Sequence, residues 1–389
     1  MKADKSIKSL APGRENKPHI GIYGRTNSGK SSLLNFITGA DTAIVAPQRG
    51  TTTDAVRKSY EIIGFAPVIF IDTAGVDDTS ELGTKRVART LETVGQIDLA
   101  LIVFQDLGEC EEELAALFDR HEIPFIPVHN GASGPGAVAG GSKVIEVDAA
   151  GTDDGQREAL LEEIKRQLPE NSYALPSMFG TRVGAGDVVL LVCPIDSEAP
   201  AGRLILPQVQ AIRELLDLHA IPVVIQPEQI PAVLDRGAAP KLVVTDSQVF
   251  PEVSRALPNG MELTSFSILL AEAKGDIALY TEGLKKIDAL QDGDRILIAE
   301  SCTHQVSCED IGRVKIPRWL EKYTGKRLQF TVVSGLSPLP ADIASYALMV
   351  QCGGCMVTRN QVRRRIRAAA EAGVPVTNYG MLIRKVAQE

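Results

Sequence analysis

Apolar and polar positions alternate in two ways along the chain. Short, nearly unbroken apolar runs such as HIGIYG from His19, PVIFIDTAG from Pro67 and DLALIVFQD from Asp98 suit strands buried on both faces of a parallel sheet. Between them apolar residues recur at helical spacing. In SGKSSLLNFITG, Leu33, Leu34 and Ile37 share one face and Gly39 stops the helix. EEELAALFDRHEI predicts a second helix, PFIPVHN a strand, and REALLEEIKRQLP an amphipathic helix. This βαβ order predicts a doubly wound, mostly parallel sheet. The Pro- and Gly-rich stretch PENSYALPSMFGTRVGAGD, from Pro169, reads as a linker. A second α/β unit follows: VVLLVCPID, the helix PQVQAIRELLDLHA, PVVIQ, the helix IPAVLDRG, and KLVVTD. A third starts near GDIALYTEGLKKIDAL and holds RILIAES, LQFTVVSG, YALMVQCGGC and a basic helix ending at Gly373. The expected fold is thus α/β, with three α/β domains over 1–170, 171–270 and 271–389.

Composition narrows the classes. At 389 residues the chain is long enough for two or three domains. A formal net charge of -8 argues against a protein that mainly coats nucleic acid. No apolar run approaches the ~20 residues that span a bilayer. The polar, basic start MKADKSIKSLAPGRENKPHI lacks an apolar signal core. The expectation is a cytoplasmic protein with no membrane partner. Six cysteines (Cys110, Cys193, Cys302, Cys308, Cys352 and Cys355) include four in the last quarter of the chain. That clustering favours a metal or cluster site over scattered core thiols, and Cys110 and Cys193 read as packing or surface thiols. The arginines at 359, 363, 364, 365 and 367 read as a solvated helix face.

The first chemistry lies in GRTNSGKS, Gly24 to Ser31, a G-x-x-x-x-G-K-S loop after a strand and before a helix. Backbone N–H groups of Gly24, Arg25, Thr26, Asn27, Ser28 and Gly29 can curl around phosphates at the positive end of the helix through Ser31 and Ser32. Lys30 reaches the β- and γ-phosphates and Ser31 offers a hydroxyl to Mg²⁺. GTTTD, Gly50 to Asp54, supplies a switch threonine, Thr52 before Thr51. In DTAG, Asp72 can hold Mg²⁺ through water and the Gly75 N–H can meet the γ-phosphate.

These three pieces, in this order, resemble the GTPases of the TrmE–Era group. The resemblance implies that Asn27 helps hold a K⁺ ion in place of an arginine finger, and that GTP with Mg²⁺ is hydrolysed slowly. The base-recognition motif departs from the group. Asn130 is kept, but Gly131 and Ser133 stand where lysine and aspartate are expected, and VDAAG, with Ala149, is a diluted last motif. Losing that aspartate removes a charge-assisted pair to guanine worth roughly 1.5–3 kcal/mol. Strict preference for GTP is therefore not expected.

The second chemistry is Cys302-Thr-His304 after one strand and Cys352-Gly-Gly-Cys355 after another. Both pairs are expected at carboxyl ends of neighbouring parallel strands. Residue types alone leave three readings open: a structural zinc, a redox dithiol, and an iron–sulfur cluster on Cys302, Cys352 and Cys355.

The GTPase motifs with ESCTH, EDIGRVKIPRWL, QCGGCMVTR and AGVPVTNYG together resemble the HydF-type maturation GTPases of FeFe-hydrogenase, over nearly the whole chain. That resemblance implies a middle domain that makes a homodimer and a 4Fe-4S cluster on Cys302, Cys352 and Cys355, with His304 as a further candidate ligand. It also implies a diiron precursor made by two radical-SAM maturases and delivered to apo-hydrogenase, without nucleic acid. Gln351 stands where that family carries histidine, which leaves the fourth iron site open or exchangeable, or to His304, Cys308 or Glu309. Two other readings stand: a TrmE–Era-like GTPase acting on RNA or the ribosome with a structural zinc, and a divergent relative that no longer cycles GTP.

Overall fold

The computed structural model describes residues 17–39, 56–76, 93–131, 143–173, 176–195, 202–237, 239–301 and 310–386. The chain forms two compact units, residues 1–175 and 176–389. Thr51, Thr52, Ser133, Cys302, His304, Cys308 and Glu309 lie outside the described residues.

The first unit is built on a six-stranded sheet in the order β2-β3-β1-β4-β5-β6. Its strands are β1 (His19–Tyr23), β2 (Val56–Glu61), β3 (Pro67–Asp72), β4 (Leu99–Phe104), β5 (Phe125–Asn130) and β6 (Ile145–Val147). All neighbours run parallel except β2 with β3. Every residue of β1 and β4 is buried, as their unbroken apolar letters require. Helices α1 (Lys30–Thr38) and α3 (Asp154–Gln167) cover one face, with Leu33, Ile37, Leu160 and Ile164 in its core. Helix α2 (Glu109–Arg120) covers the other through Leu114, Ala115 and Phe118. A short helix, α4 (Glu170–Tyr173), ends the unit. Ligands of such sheets sit at the carboxyl ends of the strands, where β1 runs into the phosphate loop.

The second unit holds two four-stranded sheets, each wholly parallel. The first sheet, in the order β10-β9-β7-β8, contains β7 (Val188–Val192), β8 (Ile221–Ile225), β9 (Leu242–Thr245) and β10 (Leu263–Ser265). Its helices are α5 (Leu206–Asp217), α6 (Ile230–Leu234), α7 (Phe250–Ala256) and α8 (Phe266–Lys274). The second sheet, in the order β12-β11-β13-β14, contains β11 (Arg295–Ala299), β12 (Gln329–Val333), β13 (Leu348–Gln351) and β14 (Val376–Asn378). It carries α9 (Ile277–Lys285), α10 (Ile316–Thr324), α11 (Arg359–Glu371) and α12 (Tyr379–Val386), with a π-helical turn over Ile311–Lys315 before α10.

Helix α8 is apolar nearly all round and is buried nearly all round. Leu269, Leu270 and Ala273 join the core of the first sheet, and Ala271 joins that of the second. The helix therefore belongs to both sheets, and the expected junction at 270–271 falls inside it. The stretch from Pro169 also differs from a free linker. Met178, Phe179 and Val183 are buried in the core under β7. The Glu214 carboxylate accepts from Met178 N at 3.0 Å and Phe179 N at 3.3 Å. Its Gly and Pro letters give the turns, and three apolar anchors fasten them.

Candidate functional site

The phosphate loop starts where β1 ends. Gly24 has φ 147 and Asn27 φ 63, so the loop curls back before α1. Gly29, at φ 93, precedes α1, and a Cβ there would lie 1.9 Å from Asn130 Nδ2. Only glycine allows that approach. Lys30 is buried, its Nζ donating to the carbonyls of Gly24 at 3.2 Å and Arg25 at 2.6 Å. Thr26, Asn27, Ser31 and Ser32 are exposed on the rim, and Ser28 is buried. Ser31 Oγ donates to Asp72 Oδ2 at 2.6 Å. Asp72 Oδ1 is buried with no hydrogen-bond partner among the described residues. Burial raises the Asp72 carboxyl above its ordinary range, while the Ser31 hydrogen bond and the Lys30 charge pull it down. A hydroxyl beside a carboxylate with one orphaned oxygen is the donor set a hydrated Mg²⁺ takes. Gly75 abuts the loop, where a Cβ would stand 2.6 Å from Thr26 N.

Asn130 ties this loop to the base end. Its Nδ2 donates to Ser28 O at 3.1 Å, and its Oδ1 accepts from Ala149 N at 3.1 Å. Lys30, Asp72, Gly75, Asn130 and Ala149 are thus brought together, and Thr52 lies outside the described residues. Sequence reading missed Glu111. This fully buried carboxylate on α2 accepts from Arg25 Nε at 2.9 Å, and Arg25 also donates to Asp106 O. The local signal was a glutamate three residues after Gly108, whose N–H donates back to Glu111 Oε2 at 3.0 Å.

The second site gathers at the carboxyl ends of β7, β9, β11 and β13. A cavity of about 300 Å³ opens there, lined among others by Asp246, Glu300, Asp310, Cys352, Cys355 and Tyr379. Cys352 and Cys355 are half-buried. Gly354, at φ 69, would place a Cβ 2.7 Å from Val362 Cγ2, so the second loop glycine is fixed by its backbone and by α11. Cys352 Sγ accepts from Ser301 N at 3.1 Å and, as a thiol, donates to Ser301 Oγ at 3.1 Å. Gln351 is fully buried. Its Nε2 donates to Ser301 Oγ at 3.0 Å and lies 3.6 Å from Cys352 Sγ, while its Oε1 is buried without a partner among the described residues.

Burial pushes the Cys355 thiol up to about 11, helped by Cys352 and opposed by Lys274. Lys274 in turn is pushed down to about 8, chiefly by burial. Cys193 is a core thiol pushed up to about 12 by burial and by Asp246. The arginine run is not one solvated face. Arg365 is half-buried and donates to Glu300 O at 2.7 Å and Ser337 O at 3.1 Å. Arg313 pairs with the buried Glu300, just after β11, at 2.9 Å.

No group of three metal-ligating side chains converges among the described residues, and Cys302 and His304 lie outside them. The donor set fits a metal–sulfur centre nevertheless. Two thiols sit on a glycine loop, with N–H donors aimed at one sulfur and open volume beside them.

Comparison with known proteins matches three segments of the chain. Residues 178–275 match the hydrogen maturase F dimerization domain, and residues 278–388 the hydrogen maturase F tetramerization domain. Together these cover more than half of the chain. Residues 19–131 match the 50S ribosome-binding GTPase family. Curated relatives include the tRNA modification GTPase MnmE of Nitrosomonas europaea, 41% identical over 112 residues, which are 28% of this chain and 25% of that protein. The GTPase Der of Wolinella succinogenes is 36% identical over 117 residues, 28% of this chain and 25% of that one. The chain thus spans about a quarter of the length of these relatives. Among solved structures, the G domain of the T. maritima FeoB iron transporter aligns with TM-score 0.29 at 19% identity, covering 38% of this chain and 98% of that chain. Aquifex aeolicus Era bound to GDP.AlF4- aligns with TM-score 0.25 at 17% identity, covering 81% and 93%.

Proposed function

The chain belongs to the hydrogen maturase F family, and we propose that it is a nucleotide-regulated scaffold for building the active site of FeFe-hydrogenase. Its first unit is a GTPase domain, and dimerization and tetramerization domains follow it. In this reading Cys302, Cys352 and Cys355 hold a 4Fe-4S cluster. The cargo is a diiron precursor received from radical-SAM maturases and passed to apo-hydrogenase. The observation that carries the reading is the Cys-Gly-Gly-Cys loop, which opens on a cavity of about 300 Å³ at the carboxyl ends of strands from two sheets.

The chain's own residues divide the work. Ser301 and Gln351 direct hydrogen bonds around Cys352 Sγ and so orient the loop. Gln351 turns its amide nitrogen to Ser301, and because an amide is a poor iron ligand the fourth iron site is left, in this reading, to an exchangeable ligand. When bound, the cluster supplies an iron at which cargo is held. In the GTPase domain, Lys30 leaves the carbonyls of Gly24 and Arg25 to meet phosphates, and Ser31 and Asp72 hold Mg²⁺. In this reading Asn27, exposed on the loop, holds K⁺, and Thr52 closes the site. Hydrolysis is slow and governs docking or release.

The test is anaerobic reconstitution with iron and sulfide, followed by metal analysis and EPR of the reduced protein. A reducible cluster is expected, and Cys355→Ala should abolish its signal. One zinc per chain with no reducible cluster would sink the reading.

A further inference from the structure

Lys274 closes the last turn of α8, and 1% of it is exposed. Its Nζ donates to Gly354 O at 2.8 Å and Val357 O at 2.9 Å, with Cys355 O at 3.5 Å. All three carbonyls belong to the thiol loop and the turn after it. Several carbonyl acceptors around one nitrogen suit an ammonium, with three donors, better than a neutral amine, with two.

Taking an ammonium out of water costs several kcal/mol. Leu270, Ala271 and Ala273 around it are core, and a methionine would fill the same space without that cost. The thiols of Cys352 and Cys355 lie on the loop that this lysine grips: once they bind metal as thiolates, the loop carries negative charge beside a buried ammonium. An ammonium clamped to the same loop offsets that charge.

We propose that Lys274 is a positioning residue for the thiol loop and the cation that sets the reduction potential of the metal centre held there. The proposal rests on the cluster reading above. Reduction by an external one-electron donor adds one negative charge to the centre. A fixed positive charge nearby stabilises the reduced form more than the oxidised form, and so raises the potential. Lys274 lies in the segment matched to dimerization, residues 178–275, and the cysteines in the segment matched to tetramerization, residues 278–388. The first of these segments thereby completes a site that the second does not complete alone.

The test uses the full chain, reconstituted anaerobically and titrated potentiometrically with EPR detection. Lys274→Met should take up iron and sulfide near the unsubstituted level but show a lower midpoint. At the potential where half of the unsubstituted protein is reduced, only a minor fraction of the variant should be. Lys274→Gln, which can still donate to carbonyls but carries no charge, should shift the same way and serves if Lys274→Met does not fold. Lys274→Arg should restore the midpoint. Loaded Lys274→Gln with an unshifted midpoint overturns this proposal while leaving the cluster reading intact. An unsubstituted protein that takes up no reducible cluster overturns both.

Discussion

At the scale of single residues, Gln351 and the base end of the nucleotide site, Gly131 and Ser133, are where the resemblance drawn from the sequence breaks down. Gln351 is buried, and its amide nitrogen is committed to Ser301 and the edge of Cys352. It acts beside the sulfur, through a hydrogen bond. The base end of the nucleotide site keeps Asn130, anchored between Ser28 O and Ala149 N. Gly131 and Ser133 lack the side chains that would read guanine. In the proposed reading, binding energy comes mainly from the phosphate loop, which does not distinguish bases. Ser133→Asp should restore a charge-assisted pair and tighten GDP binding by about tenfold or more. ADP binding should stay within about twofold, since adenine lacks the two donors that carboxylate meets. Calorimetric titration with both nucleotides checks it; equal gains for ADP would show that Ser133 does not face the base.

At the scale of elements, legibility follows length and contiguity. The buried strands β1, β3, β4, β7 and β11 announce themselves by unbroken apolar letters. The edge strand β2, VRKSYE, is largely polar, and β6, β10 and β14 have three residues each, too short for any period to register. The phosphate loop was legible because its chemistry is contiguous. Glu111 and Lys274 were not, because each meets its loop only through the fold: Lys274 reads as a cation at a helix end, ahead of Gly275.

One elemental feature bears on assembly. Val209 and Leu216 on α5 are 48% and 55% exposed, and Ile221 and Val224 on the neighbouring edge strand β8 are 50% and 43% exposed. An apolar helix face beside an open strand edge is the kind of surface a second chain can cover, and it lies inside the segment matched to dimerization. Leu216→Glu combined with Val224→Lys should shift the chain toward monomer in sedimentation velocity without altering its far-UV spectrum. An unchanged sedimentation coefficient would move the interface elsewhere.

At the scale of the whole molecule, the chain joins a GTPase unit to a unit whose described residues form two parallel sheets and the cavity at the thiol loop. The phosphate loop belongs to the first unit and the thiols to the second. That assignment to different units gives a direct prediction about regulation. Lys30→Ala removes the cation that meets the phosphates and should weaken nucleotide binding by at least tenfold. Iron content, sulfide content and the EPR spectrum of the reduced cluster should be unchanged, because every group proposed to hold or tune the cluster is intact. Activation of apo-hydrogenase by the loaded variant should fall several-fold, since docking or release has lost its switch. Full activation by Lys30→Ala, with nucleotide binding shown to be lost, would remove the nucleotide from the delivery step.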